Sequence, residues 1–125
     1  MRMSAYLRDR LLAAVFNGRP YVLSDDPWIS LHAGDPGLDG AHELTGGTYQ
    51  RAQASFTEAR NGVVATIGDV DFERGLPAAQ VTHIGLWDAR EAGHPLYVAE
   101  LDEPQTLNRG GAFRVPAGDL DVTQD

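Results

Sequence analysis

Between Trp28 and Arg51, two runs of alternating residues flank a fourteen-residue segment, Gly34 to Gly47, that holds five glycines and a proline. In the first run Ile29, Leu31 and Ala33 share one side, and Trp28, Ser30 and His32 share the other. The second run begins Thr48-Tyr49-Gln50-Arg51. A period of two residues is the mark of a strand with two distinct faces. Most connections in small domains run about 4–6 residues. One this long is either a solvated ornament or a surface for binding. Asp35 and Pro36 supply turn chemistry at its start. Two such strands joined this way commit the chain to a small, mostly β domain.

Ahead of them lies a different periodicity. Leu7, Leu11, Leu12, Val15 and Phe16 recur at steps of three and four, the spacing of one helix face. Ser4 can cap that helix, Asn17-Gly18 can stop it, and Pro20 prevents its continuation. A helix is predicted over residues 4–17, packed either on its own sheet or on a neighbouring copy. Behind it, strand-like runs alternate with turns. Ala52, Ala54 and Phe56 fit the inward face of the second run, and Asn61-Gly62 is a hairpin signal. Val63–Ile67 and Val70–Glu73 read as strands, and Glu73–Pro77 as loop. Val81–Asp88 is the most hydrophobic strand, and there Gly85 leaves room for Trp28 or the helix to approach. Pro95–Leu101 is the next strand and Pro104 breaks pairing. Ala112–Val115 and Leu120–Thr123 close the pattern, with the last residues expected to fray. The expected fold is an antiparallel β-sandwich or barrel-like domain with one N-terminal α-helix, as a single domain over residues 1–125.

Charge narrows the function. The net charge is −8, acidic residues run throughout, and all ten basic side chains are arginine. A phosphate backbone needs clustered positive charge, so nucleic acid is not an expected partner. No apolar run approaches the ~20 residues of a membrane span. Arg8, Asp9 and Arg10 interrupt the apolar core that a signal peptide requires. Without cysteine there is neither a disulfide framework nor a thiolate metal site.

His32, His42, His83 and His94 show no metal-ligand spacing among themselves. His32 and His83 lie on strands and could meet near Asp35 or Asp88 as an acid–base pair. A structural histidine is the ordinary reading. The run Asp35–Gly40 superficially resembles a calcium loop, but its third and twelfth positions are Gly37 and Gly46, where oxygen ligands are needed. No serine lies in a nucleophile elbow, and Gly46-Gly47 and Gly110-Gly111 make no phosphate fingerprint. Trp28, Tyr49 and Trp87 could line a sugar-binding patch, although tryptophans in such runs more often anchor a core or an interface. Neither a catalytic residue nor a cofactor site is expected.

Four motifs occur in order: Leu31-His32-Ala33-Gly34-Asp35-Pro36-Gly37, Glu43-Leu44-Thr45-Gly46-Gly47-Thr48-Tyr49-Gln50-Arg51, Val81–Asp88 and Pro116-Ala117-Gly118-Asp119-Leu120-Asp121-Val122-Thr123. The set resembles a family of small tailed-bacteriophage virion proteins, of the tail-fibre or minor tail type. Its members open with a short helix, continue through a Leu-His-x-Gly-Asp-Pro strand end and a Gly-Gly-x-Tyr-x-Arg strand start, and close on a Pro-Ala-Gly-x-Leu turn. The resemblance covers the chain from about Leu7 to Val122. It implies a structural, non-enzymatic component of the virion, made in the bacterial host cytoplasm, without cofactor. A homo-oligomer is expected, most simply a trimer, on the capsid as a decoration protein or on the tail, with major capsid protein or tail proteins as further partners. Candidate contact residues are Leu7, Leu11, Val15 and Phe16 on the helix, Asp35 and Pro36 in the loop, and Tyr49 and Arg51 beyond it. The alternative is a host-surface carbohydrate-binding module.

Overall fold

The structure, a computed structural model, describes residues 1–123. Ser4 starts the helix: its Oγ accepts the Leu7 N–H at 3.1 Å, the bond an N-cap serine makes. The helix α1 spans Ala5–Phe16 and ends at Asn17, whose N–H still reaches the Ala13 carbonyl at 2.9 Å. The strands are β1 (Arg2–Met3), β2 (Trp28–His32), β3 (Ala52–Gln53), β4 (Val63–Ala65), β5 (Val70–Leu76), β6 (Ala79–Trp87), β7 (Pro95–Leu107), β8 (Gly111–Val115) and β9 (Asp121–Thr123). A five-stranded sheet runs in the order β1-β7-β6-β2-β3, and β4–β9 and β5–β8 form two smaller sheets. All of these pairings are antiparallel.

The register of β2 against β6 explains the core. Ile29 stands opposite Leu86 and Leu31 opposite Ile84. Residues directly opposite share a face, so these four make one apolar surface. Val70 and Phe72 of β5, Val115 of β8, and Leu120 and Val122 belong to the same buried cluster. The three sheets therefore enclose one core, and the chain is mostly β with one helix at its front, as the two periodicities predict. No helix among the described residues is long and apolar enough to cross a membrane.

Several boundaries move, each for a physical reason. β1, too short for any periodicity to reveal, pairs Arg2 and Met3 with Val98 and Tyr97. The run beginning at Thr48 pairs with β2 only through Ala52 and Gln53, and further along by a single bridge from Phe56 to Thr66. Alternation survives nonetheless, since Ala54 is buried and Ala52 and Phe56 pack on the core. The stretch Glu73–Leu76, expected as loop, continues β5, because Gly75 takes φ +104 and lets the ladder to β8 slip by a bulge. Pro104 lies within β7, which runs on to Leu107. Pairing with β6 does shift there: it leaves Glu100 opposite His83 and resumes at Gln105 opposite Val81. Leu101–Pro104 is thus a bulge, a place where a residue without an N–H is tolerated. Gly85 leaves room for neither Trp28 nor the helix. A Cβ there would lie 2.6 Å from Ser30 Oγ and 3.0 Å from His32 Nε2. The fraying expected at the end concerns Gln124 and Asp125, which lie outside the described residues.

Candidate interaction site

The second face of β2 and β6 carries Trp28, Ser30 and His32 opposite Trp87, Gly85 and His83. Ser30 and His32 have no exposed surface. A buried polar group is costly unless bonded, and here each finds a partner. His32 Nδ1 lies 2.7 Å from the Ala41 carbonyl, which can only accept, so Nδ1 carries the proton. Nε2 is then the acceptor and takes the Ser30 hydroxyl proton at 2.6 Å. Ser30 Oγ in turn accepts the Trp87 indole N–H at 2.7 Å. Burial holds the His32 imidazole below its ordinary pKa, and so keeps it neutral.

The chain of contacts continues past Trp87. The Arg51 guanidinium lies 3.6 Å from the Trp87 ring centroid, a cation–π contact. It donates to both Glu43 oxygens at 2.9 Å, and to the Ala89 and Ala92 carbonyls at 2.9 and 2.7 Å. Tyr49 donates to Glu43 at 2.6 Å and accepts the Leu31 N–H at 3.1 Å. Burial pushes the Glu43 carboxyl up, but the bonds from Arg51 and Tyr49 outweigh it and hold it below its usual range. Burial and then the Glu43 bond push the Tyr49 hydroxyl far up. The long loop between β2 and β3 is thereby tied down at Ala41 and Glu43. Just before Ala41, Gly40, at φ +81, sits where a Cβ would strike the Trp87 ring at 2.6 Å.

This network has little to react with. Ser30 and His32 have the form of an activated serine, yet neither meets solvent. His83 stands opposite His32 in the register, but it pairs with Thr82 at 2.8 Å and lies 3.6 Å from Glu100. Among the described residues no group of three or more His, Asp or Glu is placed to hold a metal ion. Trp87 is buried and the Tyr49 hydroxyl is committed to Glu43.

The helix is the opposite case. Ser4 N–H bonds the Leu96 carbonyl at 2.8 Å, Leu7 is buried, and Tyr6 stacks on His94 with centroids 3.8 Å apart. These contacts all lie in or before the first turn. At about 100° per residue, Leu7 and Phe16 are about 180° apart, so one flat surface cannot bury both. Leu11 is 37% exposed, Leu12 51%, Val15 73% and Phe16 75%.

The candidate contact residues therefore divide. Leu11, Val15 and Phe16 present free surface. Leu7, Pro36 and Arg51 are buried within the chain and offer none. Tyr49 is half-buried in the loop network, and Asp35 is exposed but bonded to Arg2 and to the Gly37 N–H. Sequence reasoning missed the roles of Glu43 and Ser30. The alternation that put Ser30 beside His32 and Tyr49 beside Arg51 was the only signal available.

The model of the family described as podophage GP4 fiber I protein gp80 matches residues 2–123. Among curated proteins nothing matches the chain.

Proposed function

The chain belongs to the podophage GP4 fiber I protein gp80 family, and from that premise we propose that it is a non-enzymatic building block of the fibre apparatus that assembles with copies of itself, most simply as a trimer. Membership makes it a fibre-type structural protein of a phage particle. The observation that carries self-assembly is the uncovered helix face, where Leu11, Leu12, Val15 and Phe16 stand in solvent. Fully burying one such side chain is worth about 1.5–3 kcal/mol. Four together are of the same order as the ~4–15 kcal/mol that association costs. A non-catalytic role is supported by the enclosed Ser30–His32 pair, which no substrate can reach.

Light scattering on the purified chain at micromolar concentration tests the assembly. We expect about three times the 13.5 kDa of one copy, and expect Phe16→Asp to return it to a single copy. Wild-type protein at 13.5 kDa would remove the self-assembly reading. Immunogold labelling of intact particles tests the placement: gold at the fibres is expected, and gold spread over the head would point to capsid decoration instead.

A further inference from the structure

The exposed helix face is set in positive charge. Arg8 lies on the same stripe as Leu11, Leu12 and Val15, at steps of three, four and seven, and Arg19 follows just beyond the helix end. Asp9 is the only acidic side chain on the helix, and it pairs with Arg8 at 3.1 Å. Residues 1–20 hold four arginines against one aspartate, a net of +3, so the other 105 residues carry −11.

A groove of about 900 Å³ lies where the β7 bulge faces β8. Leu101 and Phe113, both half-buried, line it, and Asp102, Glu103 and Asp119 stand exposed along it. Its one arginine, Arg114, is occupied by Asp71 at 2.6 Å and Asp69 at 3.6 Å, so the groove remains acidic. An apolar stripe flanked by arginine and an apolar trough flanked by carboxylates are complementary in both respects.

Resting on the self-assembly reading above, we infer that the α1 helix of one copy docks in the β7–β8 groove of the next. Packing helix on helix instead would bring Arg8 and Arg19 of one copy against the same arginines of another, which like-charge repulsion opposes. A helix-to-groove contact joins two different patches, so it is heterologous, and a trimer follows where its rotation closes into a ring. Each copy then makes the contact twice, once with its helix and once with its groove.

Charge reversal tests this. Arg8→Glu with Arg19→Glu should shift the chain to single copies at a concentration where wild type is assembled. Asp102→Arg with Glu103→Arg should do the same. The chain carrying all four substitutions should assemble again. If the groove pair of substitutions leaves the wild-type mass unchanged, or the fourfold variant stays dissociated while folded by circular dichroism, the docking is wrong. The self-assembly reading would survive either result, since it fails only if wild type is itself a single copy.

Because the chain has no cysteine, a second measurement is available that leaves charge almost intact. Val15→Cys protein mixed with Leu101→Cys protein should form a disulfide-linked pair on oxidation. Val15→Cys alone should not. Linking of Val15→Cys to itself would mean helix against helix and overturn the docking.

Discussion

The helix α1 and the loop between β2 and β3 exchange the roles their compositions assign them. The helix brings five large apolar residues, the material of a core, and buries only Leu7. The loop brings glycine, aspartate, histidine and threonine, the material of a solvated surface. Yet it is held by His32, Arg51 and Trp87, all buried. The difference lies in what each pattern specifies. Hydrophobic periodicity says that a face is better covered, and leaves open which surface covers it. Polar side chains specify their partners by geometry and desolvation, because a buried donor without an acceptor is expensive. The loop is therefore rigid through few, directed bonds, while the helix tip is free for a partner of its own shape.

The sharpest way to break this contrast is to remove Arg51. Its side chain is 7% exposed and that of its partner Glu43 22%. Losing one member of a buried pair costs about 3–5 kcal/mol, and the partial exposure of Glu43 places Arg51→Ala toward the lower end. Urea denaturation should show this loss, and acrylamide quenching of tryptophan should rise as the loop leaves Trp87. A loss below about 0.5 kcal/mol, the range of ordinary surface substitutions, would mean that the loop is held by something else.

Much of the frame was legible in the residues. Ser4, the apolar steps and Asn17 marked the helix to within a residue. Alternation separated the two faces of β2, and Asn61, at φ 52, does turn the chain before β4. What stayed hidden depends on residues distant in sequence. Arg51 reaches the Ala89 and Ala92 carbonyls, and Ser30 reaches Trp87, across spans that no local period encodes. Gly85 reads as a gap in the sequence, whereas Ser30 and His32 fill the space beside it. The exposure of Phe16 was hidden as well, since it follows from the direction in which the first turn anchors the helix.

The second test uses acid. Burial lowers the pKa of His32. Below its unfolded value of 6.5 the unfolded chain binds a proton that the folded chain refuses, so stability falls as pH drops from 6.5 toward the folded value. The slope reaches at most about 1.4 kcal/mol per pH unit. Glu43 acts later. Its carboxyl is held low, so its contribution is present above 4.5 and is lost as pH falls through the folded value beneath that. Urea midpoints measured from pH 7.5 to 5 should decline in wild type, and His32→Gln should flatten that decline. An unchanged decline in His32→Gln would assign the proton uptake elsewhere and remove His32 from the anchor.

The smallest effect tests the other half of the contrast. Val15 is 73% exposed and makes no part of the core cluster. Val15→Ser should therefore change the stability of a single copy by no more than about 0.5 kcal/mol, the range of ordinary surface substitutions. The measurement must be made on dissociated protein, because covering by a partner adds its binding free energy to apparent stability. In a Phe16→Asp background, where assembly is expected to be lost, Val15→Ser should leave the urea midpoint in place. In the assembled wild-type background the same substitution should lower the midpoint, and more so at low protein concentration. A loss in the dissociated background as large as that of Arg51→Ala would mean that the helix tip is core after all. An effect confined to the assembled background means that the stripe is stabilising only when a second surface meets it.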